Sequence, residues 1–170
     1  MVGKNLLRIP IFAALTALLA FIYIPLPFSP VPVTGQTMGP LLAGIYLGSR
    51  AGAVSQIIYL GLGLIGLPVF AGGTAGPGTL VGPTGGYIWG FILSALLVGR
   101  LWQPRTSRGR QVFILCLGML VIYLLGIVQL SLVMGLPLGA AWQLGALPFL
   151  IGDSCKIMAI LFFLGRLPHL

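Results

Sequence analysis

Among its 170 residues the chain holds a single acidic one. It is Asp153, in the stretch "PFLIGDSCKI", and Lys156 follows three positions later. On a helix, residues at i and i+3 share a face, so the carboxylate and the ammonium would stand side by side. Both fall inside an apolar run, where an Asp or Lys at a membrane-helix centre costs about 2.5–3.5 kcal/mol on insertion scales. Opposite charges offset part of that cost, although two apolar residues would avoid it altogether. The pair reads as a polar spot kept for a ligand, with a neutralising helix clamp as the plainer alternative. An acceptor beside a donor suits a compact molecule whose N–H groups flank a carbonyl, as in a cyclic urea. Charge-assisted hydrogen bonds of that kind are strong and selective in a dry site.

A second candidate is "GLPVFAGGTAGPGTLVGPTGGY", residues 66–87, in which seven of the fifteen positions 72–86 are glycine. Glycine permits positive φ and close approach of backbone to a ligand. The stretch lacks the G-K-[ST] of a phosphate-binding loop. A flexible connector would explain the glycines, but Val69, Phe70, Leu80 and Val81 point to a lid over an apolar ligand. Directly after it, Tyr87 could offer its hydroxyl to a bound molecule, while Trp89 reads as an interfacial aromatic. In "AALTALLA", Ala13 and Ala17 give the small-xxx-small spacing that lets helices approach closely.

Other chemistries are poorly served. One acid excludes two-carboxylate catalysis, and neither a Ser/His/Asp set nor an HExxH motif is present. Cys116 and Cys155 lack metal-ligand spacing and read as small buried thiols. His169 reads as a solvated terminal residue. The expectation is a binder, not an enzyme, with no cofactor and no metal.

Elements of one kind must position these groups. The residues are 58% hydrophobic and 6% charged, with a mean hydropathy of +1.12. Soluble domains carry about 25% charged residues, so the solvent for most of this chain is lipid. Cutting at prolines, glycine clusters and charges leaves six apolar segments, roughly 9–28, 37–49, 51–67, 84–101, 111–136 and 141–165, in a single membrane domain, 1–170. The first reads as a retained span, because no small-residue cleavage site follows it. The second is short for a span unless "PVPVTGQ" adds a bent or re-entrant turn, which survives at membrane depth only where it lines a covered site.

The net charge of +8 does not signal nucleic acid, since no aromatic residues interleave with the basic ones. Lys4, Arg8, Arg50, Arg100, Arg105, Arg108, Arg110 and Arg166 all fall in the start, the tail and two loops that six spans place on one side. The opposite connections hold no Lys or Arg. By the positive-inside rule both termini are cytoplasmic. Lys156 is the one basic residue that topology does not require.

"IPLPFSPVPVTGQTMGPLLAG", "GLPVFAGG" with "GPTGGYIWGF", and "PFLIGDSCKI" together resemble, in order and over nearly the whole chain, the signature segments of the BioY family. These are the biotin-binding substrate-specificity (S) components of energy-coupling factor (ECF) transporters. The resemblance implies an all-α membrane protein of six transmembrane helices, with a vitamin site near the outer side closed by the loop after the third helix. It implies that Asp153 and Lys156 face the ureido ring of biotin, that Gly73 and Thr74 cover the site, that Tyr87 lines it, and that Gln36 adds a polar contact. Backbone N–H groups of the glycine loop would hold the ligand carboxylate. Ala13 and Ala17 would match the face that docks on a transmembrane coupling protein (EcfT-like), itself driven by cytoplasmic ATP-hydrolysing (EcfA-like) subunits. The setting implied is the cytoplasmic membrane, with assembly into a homo-oligomer left open. Two alternatives stand beside this reading: an ion-coupled secondary transporter that titrates Asp153, and a structural membrane subunit with no ligand.

Overall fold

The computed structural model describes residues 7–166; Lys4 and His169, and the side chain of Arg166, lie outside the described residues. In chain order the elements are α1 (Arg8–Ala20), a hairpin of β1 (Tyr23–Leu26) and β2 (Ser29–Thr34), α2 (Met38–Leu47), α3 (Ser49–Leu64), α4 (Pro77–Val81), α5 (Gly85–Leu101), α6 (Arg108–Met134), α7 (Leu138–Gly145) and α8 (Leu150–Arg166). Among the described residues the fold is therefore helical but for one small antiparallel hairpin.

That hairpin corrects the first expected segment, 9–28, which is helical only as far as Ala20. Pro25, Pro27, Pro30 and Pro32 follow. Each removes an N–H and biases the residue before it toward extended backbone, so helix gives way to strand. Tyr23 pairs with Thr34, Ile24 with Val33 and Leu26 with Ser29, with an irregularity between Ile24 and Leu26. The Ser29 hydroxyl donates to Leu144 O at 2.7 Å, tying the hairpin to α7.

The segment expected at 141–165 is likewise not one helix. It breaks at Ala146 (φ −133°, ψ −54°), and a single 3-10 turn over Leu147–Phe149, containing Pro148, reorients the chain into α8. By length and apolarity, α6 and the run Leu138–Gly165 can cross a bilayer, whereas α1, α2 and α5 are apolar but shorter. Short helices fit here because the hairpin and the loops complete their passage under cover of protein.

Helix α5 is the centre of the bundle and packs on α2, α3, α4 and α6. Its glycines make that approach possible. A Cβ on Gly86 would lie 2.2 Å from Leu125 O of α6, and one on Gly90 would lie 2.8 Å from the Ile122 Cα. Helices in lipid gain no hydrophobic drive from one another, so close packing of this kind does the work. The same logic relocates Ala13 and Ala17. They are 1% and 8% exposed, buried in the chain's own core where α1 meets α2 and α3. The free face of α1 carries Leu7, Ile11 and Leu18 instead. Cys116 and Cys155, expected to be buried, are exposed on the bundle surface.

Contacts at one end of the bundle gather the arginines. Phe12 stacks near Tyr46 at 5.8 Å, the Ser49 hydroxyl donates to Leu96 O at 2.9 Å, and Arg108 donates to Leu161 O at 3.2 Å. Arg8, Arg50, Arg100, Arg105, Arg108 and Arg110 are all exposed around this end. The hairpin, the glycine-rich loop and the turn before α7 lie at the other.

Replacing Gly86 by Ala should lower stability by about 1–3 kcal/mol through overpacking against α6. Gly61→Ala, where a Cβ meets nothing within 4 Å, should leave stability unchanged or raise it by up to about 1 kcal/mol. Thermal unfolding in detergent micelles reads both; equal midpoints would contradict the α5–α6 contact.

Candidate functional site

The break at Ala146 sets where the charged pair stands. Because α8 begins only at Leu150, Asp153 falls in its first turn, where the exposed N–H groups of a helix start favour a carboxylate. Lys156 lies three residues on, and its Nζ donates to Asp153 Oδ1 at 2.5 Å. The same ammonium donates to Thr34 O at 2.5 Å and to Thr37 Oγ1 at 3.1 Å. All three of its protons are thus engaged. Asp153 Oδ1 also accepts from the Thr37 hydroxyl at 3.4 Å, and Oδ2 accepts from the hydroxyl of Tyr123. Side-chain exposure is 15% for Lys156 and 6% for Asp153. One ion pair therefore joins the end of β2, the start of α2, the middle of α6 and the start of α8.

Beside the pair lies a cavity whose empty space, counted with its opening to solvent, is about 550 Å³. Val31, Pro32, Ile88, Phe91 and Phe149 supply apolar walls, and Asp153, Lys156, Thr34, Thr37, Gln36 and Tyr123 the polar ones. The segment "PVPVTGQ", expected to bend and line a site, does so as β2 and the turn into α2.

Four of the expected residues meet at this cavity: Asp153, Lys156, Gln36 and Tyr87. Tyr87 does so differently than expected. Its hydroxyl donates to Gly145 O at 2.7 Å and so fixes α7, leaving the ring as its contribution to the wall. Gly73 and Thr74 do not line the cavity. Both are exposed at the loop tip, where Gly72 and Gly73 turn the backbone with φ of +68° and +73° and the Thr74 hydroxyl donates to Ala71 O at 3.1 Å. The loop instead presents Ala71, Thr79 and Thr84. Its amides are also less free than expected: Gly73 N–H donates to Phe70 O at 3.0 Å and Gly76 N–H to Gly63 O at 2.8 Å. Ala13 and Ala17 lie in the α1 packing seam and take no part.

Sequence reasoning missed Tyr123, Thr37 and the Thr34 carbonyl. Tyr123 had a usable signal, since a phenol in the middle of a 27-residue apolar helix needs a hydrogen-bond partner when buried. Thr34 and Thr37 had none, because their roles depend on how the hairpin folds back.

Chemically, the site presents a carboxylate with acceptor capacity to spare, an ammonium and a neutral amide at one end of an apolar slot. That is an arrangement for recognising a small molecule with a polar head and an apolar body.

The chain is similar to known proteins over nearly its whole length. The model of the BioY family matches residues 2–170. The chain is 37% identical over 171 residues to a probable biotin transporter BioY of Lysinibacillus sphaericus, covering 96% of this chain and 86% of that protein. It is 36% identical over 167 residues to the biotin transporter BioY of Thermotoga maritima, covering 98% and 97%. Among solved structures it is similar to the S-component for biotin from an ECF-type ABC transporter, with a TM-score of 0.87 and 31% identity, over 96% of this chain and 89% of that one.

Removing one member of the pair should strand the other. Asp153→Ala and Lys156→Met should each cost about 3 kcal/mol of stability, and the double variant clearly less than their sum. Unfolding of the four proteins in detergent, without ligand, measures this; additive losses would contradict the coupling.

Proposed function

The chain belongs to the BioY family, and from that premise we propose that it binds biotin as the S component of an ECF-type transporter and mediates its uptake. It is a membrane protein. The observation that carries the proposal is the meeting of Asp153 and Lys156 on the wall of one cavity at the end of the bundle away from the arginines.

In this reading one ureido N–H group of biotin donates to Asp153, which keeps one lone-pair site beyond those used by Lys156, Thr37 and Tyr123. The ureido carbonyl accepts from Lys156 by replacing a neutral acceptor, Thr34 O or Thr37 Oγ1, so one ammonium–oxygen bond is exchanged for another. The fused rings and the start of the acyl chain rest on Phe91, Ile88 and Val31. Tyr123 and Thr37 hold the carboxylate in place, and Tyr87 contributes its ring. The loop from Ala71 to Thr84 stands over the opening.

The arginine-rich end faces the cytoplasm, as the positive-inside rule requires, which places the cavity toward the outer side of the cytoplasmic membrane. Its longest loop at that end, 102–107, is too short for a nucleotide-hydrolysing domain. Separate ATP-hydrolysing subunits and a transmembrane coupling protein supply the work. With Ala13 and Ala17 buried, the face of α1 open to a coupling protein is Leu7, Ile11 and Leu18. Neither enzymatic turnover nor a resident cofactor enters this scheme. The contacts that tie Asp153 to α2, α6 and α8 beside a cavity support ligand recognition over ion coupling through it.

Asp153→Asn and Lys156→Ala should each weaken biotin binding at least about 100-fold, the scale of losing a charge-assisted bond in a dry site, while keeping the helical content of the folded protein. Titration of the purified variants with labelled biotin tests this. Near-native binding in both would sink the site assignment.

A further inference from the structure

Tyr59 lies outside the charged site, and its environment gives it a task there. It is fully buried on α3, with its ring edge-on to Phe70 at 5.6 Å and tilted against the cavity residue Phe91 at 6.4 Å. Its hydroxyl makes two bonds of opposite sense. It donates to Val69 O at 3.0 Å and accepts from the side-chain amide nitrogen of Gln36. Val69 is two residues before Ala71, the first loop residue over the cavity, and Gln36 is itself a wall residue.

A phenol has one proton. Once that proton is given to the Val69 carbonyl, Tyr59 can only accept from Gln36, which decides between the two amide orientations that a glutamine side chain otherwise allows. The NH2 group must turn to Tyr59, and the carbonyl Oε1 is left as the face of Gln36 toward the cavity. Among the described residues Gln36 Oε1 accepts no hydrogen bond, and it is not among the buried polar atoms lacking a partner, which comprise only the Ser94 hydroxyl. We propose that Tyr59 is a positioning residue that fixes Gln36 as a second acceptor for a ligand N–H and links that orientation to the outer loop through Val69. The site would then discriminate for a ligand with two N–H donors: Asp153 reads one and Gln36 the other. The loop strand from Val69 to Ala71 would be tethered by the same hydroxyl.

Two neighbouring contacts suit such a tether. Phe70 fills the hollow left by Gly63, where a Cβ would lie 1.9 Å from its ring tip. Farther along, the Gln129 amide donates to Leu80 O at 2.7 Å and to Gly82 O at 2.8 Å. The loop is therefore held at 69–70 and at 80–82, and the glycine-rich part lies between.

The inference about affinity rests on the biotin reading; the tether does not. Tyr59→Phe keeps the ring contacts and removes both hydrogen bonds. It should weaken biotin binding about tenfold. It should also speed hydrogen exchange, without ligand, at the bonded amides of Phe70, Gly73 and Gly76 by about the same factor, leaving α6 amides unchanged. In a Gln36→Leu background the further loss of affinity from Tyr59→Phe should fall below about twofold, because the residue acts through Gln36. A purely structural role would give the full loss in both backgrounds, and that result, or unchanged loop exchange in Tyr59→Phe, would overturn the proposal. If the wild-type protein bound no biotin, the biotin reading would fail, and loop exchange alone would decide on the tether. Should Tyr59→Phe fail to fold, Gln36→Leu decides instead: affinity must fall about tenfold while loop exchange stays native, and any other outcome refutes the relay.

Discussion

An ammonium and a carboxylate inside an apolar bundle persist only when they are paired and well hydrogen-bonded. Burying either alone costs several kcal/mol, and their mutual attraction repays this only when hydrogen bonds satisfy what remains. Here that demand organises the outer half of the molecule. Lys156 draws the end of β2 and the start of α2 toward α8, and Asp153 draws in Tyr123 from α6. The hairpin, the turn at Gly35 and the break before α8 all bring oxygen atoms to one point. What a clamp would not need is a cavity beside it. The pair is both the structural knot and the polar end of an apolar slot, and a ligand that takes over one of its bonds changes what holds the four elements together.

The chain reaches this arrangement by breaking its helices where the site lies. Prolines end helical structure after α1 and before α8, and glycines with positive φ turn the loop between α3 and α4. Backbone so released cannot face lipid without losing its hydrogen bonds. It is covered instead: the hairpin by α7, through Ser29 and Leu144, and the loop by α6, through Gln129. At the other end, where the arginines collect, helices meet through short turns with little irregular backbone. The contrast between a broken outer half and a regular inner half follows from placing the site off-centre.

The membrane class, the approximate segments and the Asp153–Lys156 pair were legible in the sequence because each rests on strong local rules: hydropathy, charge placement, and the cost of a buried charge. The hairpin was less legible, since prolines announce that a helix stops but not that two strands will pair. The break inside 141–165 was not legible, because Pro148 sits within an otherwise continuous apolar run. Ala13 and Ala17 show another limit: small-residue spacing reports close helix contact but not whether the partner is inside or outside the chain. That Gly73 and Thr74 stand at the exposed loop tip was not legible, because composition locates a glycine-rich loop without saying which of its residues face inward. Tyr123 and Thr37 lie far from Asp153 in sequence, and only the folded arrangement of α6 and the hairpin brings them to it.

If the buried pair is kept to read a cyclic urea, the ureido group itself is the thing to alter. Calorimetric titration of the wild-type protein with biotin and with an analogue methylated at both ureido nitrogens addresses it directly. Biotin should bind saturably and one to one, and the methylated analogue, which has no N–H to give to a carboxylate, should not bind. Comparable binding of the two, or no heat with biotin, would contradict it.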